Sequence, residues 1–152
     1  MKLEIKRCTF EELYAHPEWS DWVKEYVKET ANPVIGIADA QVDRYRETYA
    51  AGRLRCLKAV DGEHLAGAAM LCVTVSHHYP FPIIGLDALY LRKSWRKDGN
   101  GLALMREIRR SVAEEGAPGC PVMAPPNSRL DRICQAYRMP HTHNCYWMAC
   151  DE

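Results

Sequence analysis

No stretch of this 152-residue chain approaches the roughly 20 consecutive apolar residues that a membrane-spanning helix needs. The N-terminus, Met1-Lys2-Leu3-Glu4-Ile5-Lys6, alternates charge and lacks an apolar targeting run. Neither sign of charge is in excess: 20 basic and 20 acidic side chains cancel, so no global field draws the protein to nucleic acid or an anionic membrane. The seven cysteines are odd in number and include no Cys-x-x-Cys pair, which argues against a disulfide framework and for reduced thiols packed as small hydrophobes. Repeats, linkers and low-complexity tracts are missing too. What the composition leaves, with 47% apolar and 26% charged residues, is an ordinary globule, read as one domain over 1–152 in the cytoplasm.

Within that frame the most informative run is Arg96-Lys97-Asp98-Gly99-Asn100-Gly101. It lies between an apolar strand-like segment, Leu86 to Leu91, and a strongly helical one, Leu102 to Glu115. Two glycines at a strand-turn-helix junction let the backbone approach a bulky anion, and the unpaired N–H groups of the first helical turn then point at it. The P-loop is excluded because no Gly-Lys-Ser/Thr follows, and the dinucleotide fingerprint because Leu102, Ala103 and Leu104 supply no third glycine. The next helix places Leu104, Met105, Ile108 and Val112 on one face and stops at Gly116.

Elsewhere, Leu3 and Ile5 open an alternating strand, and Thr9-Phe10-Glu11-Glu12 has the form of a capping box, predicting a helix from about residue 10. Trp22, Val23, Tyr26 and Val27 fall at helical spacing. After Asn32-Pro33 a further helix is expected over Ala38 to Ala51, with Val42, Tyr45 and Tyr49 inward. Arg53 to Val60 and His64 to Val75 form a hairpin about Asp61-Gly62-Glu63, and Ile83 to Leu91 reads as a strand covered on both faces. Cys120 to Ala124 reads as a short strand, Ser128 to Arg138 as a helix and Asn144 to Cys150 as a last strand. The order βααβββαβαβ gives an α/β (α+β) three-layer sandwich, a mixed, mainly antiparallel sheet with helices on both faces.

The spacing Arg-x-x-Gly-x-Gly at Arg96–Gly101 resembles the pyrophosphate signature of the GCN5-related N-acetyltransferase (GNAT) family, and the element order agrees with a small bacterial or phage member. The resemblance implies acetyl-coenzyme A as co-substrate, held by main-chain groups of Leu89, Tyr90 and Leu91 and by the amides of Arg96, Lys97, Asp98, Gly99, Asn100, Gly101 and Leu102. Asp87 takes the place of the family's usual glutamate base. A lone aspartate in so apolar a strand would have a raised pKa unless paired.

For the acid that returns a proton to sulfur, Tyr137 is the tyrosine available after the fifth expected strand. Here the chain departs from the family: Asn127 fits the usual asparagine, but seven residues on stands Cys134. The alternative register, Ala136-Tyr137 for the usual Gly-Phe, leaves no tyrosine acid. His77, Tyr79 and Phe81 are expected at the acceptor mouth, and the His141-x-His143-x-Cys145 run lacks the distant partner a zinc site needs, so no metal is expected. The implied activity is direct acetyl transfer to a primary amine of a small molecule or peptide, with homodimers common in the family. The other readings are a coenzyme-binding module without catalysis and a related transferase acting on a nucleic-acid base, against which the neutral charge argues.

Overall fold

The structure, a computed structural model, describes residues 3–36 and 38–150. Its elements in order are β1 (Glu4–Cys8), α1 (Phe10–Tyr14), α2 (Trp19–Thr30), α3 (Val42–Ala50), β2 (Leu54–Asp61), β3 (His64–Thr74), β4 (Ile83–Leu91), a single 3-10 turn (Lys93–Trp95), α4 (Asn100–Glu114) and α5 (Arg129–Ala136). The strands form a four-stranded sheet in the order β1-β2-β3-β4, antiparallel at every pairing. β2 and β3 are joined by the tight Asp61-Gly62-Glu63 turn, with Gly62 at φ 59°, whereas β1 pairs with β2 across a connection that carries three helices.

Strand alternation sends side chains to two cores. On one face Phe10, Leu13, Trp19 and Trp22 from α1 and α2 pack on Leu54, Cys56, Met70, Ala88 and Tyr90, with Val42 and Tyr45 of α3 beside them. On the other, Leu104, Ile108 and Val112 of α4 pack on Leu57, Ala69, Leu71 and Ile84. The layers are helix, sheet, helix, the sandwich the sequence implied. Each large side chain removed from water in this way contributes about 1.5–3 kcal/mol, and these two clusters hold the layers together.

Local signals were obeyed where they carry their own geometry. The Thr9 hydroxyl accepts from Glu12 N at 3.0 Å while Thr9 N donates to the Glu12 carboxylate at 2.7 Å, so the capping box is complete. Gly116, at φ 77°, closes α4. At Asn32 the side chain accepts from Val34 N and breaks the chain between α2 and α3.

Other expectations need correction. Cys120–Ala124 and Asn144–Cys150 are not strands, and Tyr146, Trp147 and Met148 are left exposed. Both runs are apolar enough for a strand, but among the described residues neither pairs with another segment, and β propensity without a partner holds no structure. The sheet is therefore not mixed, and three helices, not two, separate β1 from β2. The third, α3, begins four residues later than expected, and Tyr49 is 37% exposed because the last turn of α3 stands at the rim of a cleft of about 530 Å³.

Ile83–Leu91 has the bounds expected, and its side chains enter both cores, Ala88 and Tyr90 on one face and Ile84 on the other, although β3 is the more completely buried strand. β4 is an edge. It approaches β3 closely at Gly67, where a Cβ would stand 2.8 Å from Tyr90 O and from Leu91 Cδ1. A bulge interrupts the β3–β4 ladder: Met70 pairs with Ala88 and Leu71 with Leu86, so Asp87 faces no partner.

Candidate active site

Arg92 N donates to Ala66 O at 2.8 Å, so in an antiparallel ladder the main-chain groups of Leu89 and Leu91 are turned away from β3, to the open edge. Leu91 O is met there by Arg96 Nε at 2.6 Å. The chain then passes through the 3-10 turn into two consecutive left-handed residues, Asp98 at φ 54° and Gly99 at φ 74°. Gly99 is the N-cap of α4 and no side chain caps the helix. The first bond inside α4 runs from Ala103 N to Gly99 O, 2.9 Å. Gly101 N–H and Leu102 N–H thus lie ahead of the first possible acceptor, with no acidic side chain in the first turn.

A Cβ built on Gly99 or Gly101 would meet nothing within 4 Å, so no neighbouring segment packs on this side of the turn. The Asn100 side chain turns the other way. It is 2% exposed, donates to Trp95 O at 3.1 Å and accepts from Leu3 N at 3.4 Å, pinning the turn to the start of the sheet. An uncapped helix end, an open approach and a rigid seat suit a phosphate group, and the pyrophosphate of a nucleotide coenzyme fits them.

The side chains of the turn divide. Lys97 is exposed. Arg96 is engaged inward: its guanidinium lies 2.7 Å from Glu29 and 5.0 Å above the Tyr90 ring. Glu29 belongs to an acidic stripe on α2 whose other members, Glu18 and Glu25, hold Arg92 at 3.0 and 2.7 Å. Arg129, the first residue of α5, donates to Arg96 O at 3.0 Å and brings a further cation to the turn.

Asp87 lies four residues, about 13 Å, back along β4 from Leu91. The expectation of a buried lone carboxylate is not met: Asp87 is exposed on the open edge and is paired, accepting from the Tyr45 hydroxyl at 2.6 Å. Burial pushes the Tyr45 phenol well up from its ordinary range, and the hydrogen bond to Asp87 pushes it further. Burial followed by the Asp87 charge also raises the Cys72 thiol, while the Tyr26 phenol is raised by burial against the pull of Thr30. A carboxylate therefore faces groups that all keep their protons near neutrality.

At the far end of β4, Tyr79 and Phe81 stack with ring centroids 5.3 Å apart, Tyr79 being 59% exposed. Ser76 Oγ accepts from His78 N and Tyr79 N and shapes this loop. His77 is exposed beside it. The strand thus joins the glycine turn at one end, Asp87 midway and the aromatic loop at the other.

Asn127 and Tyr137 lie at opposite ends of α5, whose first residue, Arg129, reaches the turn. Asn127 adopts φ 63° ahead of the Ser128 cap and donates its N–H to Asp131. Tyr137 is the C-cap of α5, 56% exposed, and among the described residues no hydrogen bond or ring contact ties it to β4. Cys134 is half-buried, with its thiol raised by burial. No group of three or more His, Cys, Asp or Glu side chains among the described residues stands together as a metal site requires. Sequence reading missed Arg129 and the role of the Tyr45 hydroxyl. The helical spacing of Tyr45 pointed to its ring, and nothing in the sequence marks where the hydroxyl ends.

The fold recurs in solved acetyltransferases. An aminoglycoside acetyltransferase from an uncultured soil metagenomic sample, in complex with sisomicin, matches with a TM-score of 0.71 and 15% identity over 99% of this chain and 95% of its own. AAC(6')-Iy, in complex with the bisubstrate analogue CoA-S-monomethyl-acetylneamine, gives 0.72 and 15% over 99% of both chains. Ribosomal-protein-alanine N-acetyltransferase from Brucella melitensis gives 0.70 and 11% over 100% of this chain and 99% of its own. No protein-family profile and no curated protein matches the chain. At these identities the agreement is one of architecture: the chain has the acetyltransferase fold, the one that the Arg96–Gly101 turn implied.

Proposed function

We propose that the protein is an N-acetyltransferase that takes the acetyl group from acetyl-coenzyme A and passes it directly to an amine. The observation that carries this reading is the continuity of the open β4 edge at Leu89 and Leu91 with the uncapped N-terminus of α4 at Gly99–Leu102. Solved proteins of the same fold that carry coenzyme A or a coenzyme A analogue support it.

In this reading the amides of the turn seat the pyrophosphate, with Lys97 and Arg129 adding positive charge at its rim. The main chain of Leu89 and Leu91 aligns the pantetheine arm and the thioester along β4, whereas the main chain of Tyr90, expected beside them, is turned to β3 opposite Ala68. Asp87 accepts the ammonium proton, directly or through water, so that the amine attacks uncharged. Tyr137 and Asn127 enter from the family resemblance alone. The acceptor is a small molecule or peptide with a primary amine, entering past His77, Tyr79 and Phe81. The aminoglycosides bound or named in the neighbouring structures make that class the first to test. Among the described residues no helix is long and apolar enough to cross a membrane, and we place the reaction in the cytoplasm as the work of one domain.

A second reading is a module that binds the coenzyme without turning it over, in which Tyr137, the C-cap of α5, takes no part in chemistry. Release of free thiol from acetyl-coenzyme A, measured with aminoglycosides and peptides as acceptors, separates the two. An Asp87→Asn variant that binds acetyl-coenzyme A but loses turnover supports catalysis. Full activity in that variant removes Asp87 from the reaction, and failure of the native protein to bind acetyl-coenzyme A overturns the reading itself.

A further inference from the structure

Asp87 is placed by an irregularity. Because the ladder passes from Met70–Ala88 to Leu71–Leu86, no cross-strand neighbour fixes the orientation of residue 87, and its exposed side chain has rotamers to choose from. The Tyr45 hydroxyl holds it by a 2.6 Å hydrogen bond. Tyr45 is itself rigidly seated: its ring stacks on Phe10 at 5.2 Å and 27°, against the core that α1 and α2 build on the sheet.

The bland explanation is that this bond fastens α3 to the sheet. Yet α3 has other fastenings. Arg46 reaches Glu11 of α1 through Nε at 2.6 Å and Nη2 at 3.3 Å, its guanidinium lies 4.9 Å over the Tyr14 ring, and Val42 is packed in the core. The Tyr45 ring would keep its stacking without the hydroxyl. What the hydroxyl adds is a fixed place for the carboxylate at the bulge.

We infer that Tyr45 is a positioning residue for Asp87, its hydroxyl fixing the carboxylate of the bulge toward the open β4 edge where the attacking amine would stand. The inference rests on the acetyltransferase reading above. A base that can swing away from the amine is a poorer base, since misplacement by about 1 Å costs on the order of a hundredfold in rate. The bond also explains how an exposed aspartate without a cross-strand neighbour can serve a reaction that needs an aimed proton acceptor.

The test is a cycle of Tyr45→Phe, Asp87→Ala and the double variant in the full chain, with acetyl-coenzyme A and the amine that gives the highest thiol release. Tyr45→Phe should lower kcat by about tenfold to a hundredfold and leave KM for acetyl-coenzyme A unchanged. In the Asp87→Ala background the same change should cost nothing further. A spectroscopic arm needs no turnover: the ring 13C resonance of Tyr45 beside the hydroxyl, identified by its loss in Tyr45→Phe, should move in Asp87→Ala. An unaltered kcat, an equal loss in both backgrounds, or an unmoved resonance overturns the inference while leaving the acetyltransferase reading intact. Absence of acetyl-coenzyme A binding by the native protein, with the resonance still moving, removes the reading and the inference with it.

Discussion

Glu29 on α2 and Arg96, just past the 3-10 turn that follows β4, form an ion pair at 2.7 Å that the Arg96 guanidinium shares with the Leu91 carbonyl. The pair closes the β4–α4 connection onto the helical layer. A cation read from the sequence as a neighbour of phosphate therefore has a structural task, and the backbone of the turn is left to face outward.

Arg96→Ala is accordingly expected to act on stability. Losing charge-assisted bonds in a half-buried site costs about 2 kcal/mol, visible as a lower midpoint in chemical denaturation. Once the variant is folded, its affinity for acetyl-coenzyme A should fall less than that of Lys97→Ala or Arg129→Ala. Isothermal titration of the three variants orders them.

Gly101→Val separates folding from binding. A Cβ at this position meets open space and needs no left-handed backbone, so the free protein should melt within a few degrees of the native one. Acetyl-coenzyme A at a hundred times its Kd should stabilise the native protein by about 2.7 kcal/mol, and the variant should lose most of that shift. A thermal melt with and without ligand reads both quantities, and an undiminished shift would place the phosphates elsewhere.

Glu18 and His64 give stability a defined pH window. The Glu18 carboxylate accepts from His64 at 2.8 Å, and this bond holds Glu18 below its ordinary value of 4.5 and His64 above its ordinary 6.5. The histidine contribution is complete below 6.5 and fades as pH rises through the raised folded value. That of the carboxylate is complete above 4.5 and fades as pH falls through the lowered folded value. The pair is worth most between the two, and His64→Gln should flatten the decline above pH 6.5 in a series of denaturation curves.

Burial holds the Cys8 thiol at about 11 and that of Cys56 at about 12, whereas Cys145 and Cys150 are exposed. Brief iodoacetamide treatment at pH 8 should therefore label Cys145 and Cys150 and spare Cys8 and Cys56, as peptide mass mapping would show. Rapid labelling of Cys8 would mean that β1 opens readily from the sheet.

Features with local causes were legible in the sequence. The Thr9–Glu12 box, the Asp61-Gly62 reversal, the nine residues of β4 and the helix after Gly99 each follow from residues adjacent in the chain. Features that depend on what lies across the fold were not. Cys120–Ala124 and Asn144–Cys150 have strand composition, but pairing is a property of two segments and the sequence describes only one at a time. Asp87 looked buried because its neighbours in sequence are apolar, while its exposure follows from β4 being an edge. Its partner, Tyr45, is 42 residues away. The anion seat could be read because a glycine turn acts through its own backbone, and the aim of a side chain could not.

Gly67 gives that seat an unexpected dependence. With 2.8 Å between a would-be Cβ and both Tyr90 O and Leu91 Cδ1, the two strands meet along a seam whose tolerance is one hydrogen atom. Gly67→Ala would have to pry the end of β4 outward, and the chain from Leu91 through Trp95 to Asn100 would carry the displacement to the helix end like a lever. A single methyl group on the strand behind would thus misalign amides more than thirty residues downstream, without touching anything that binds.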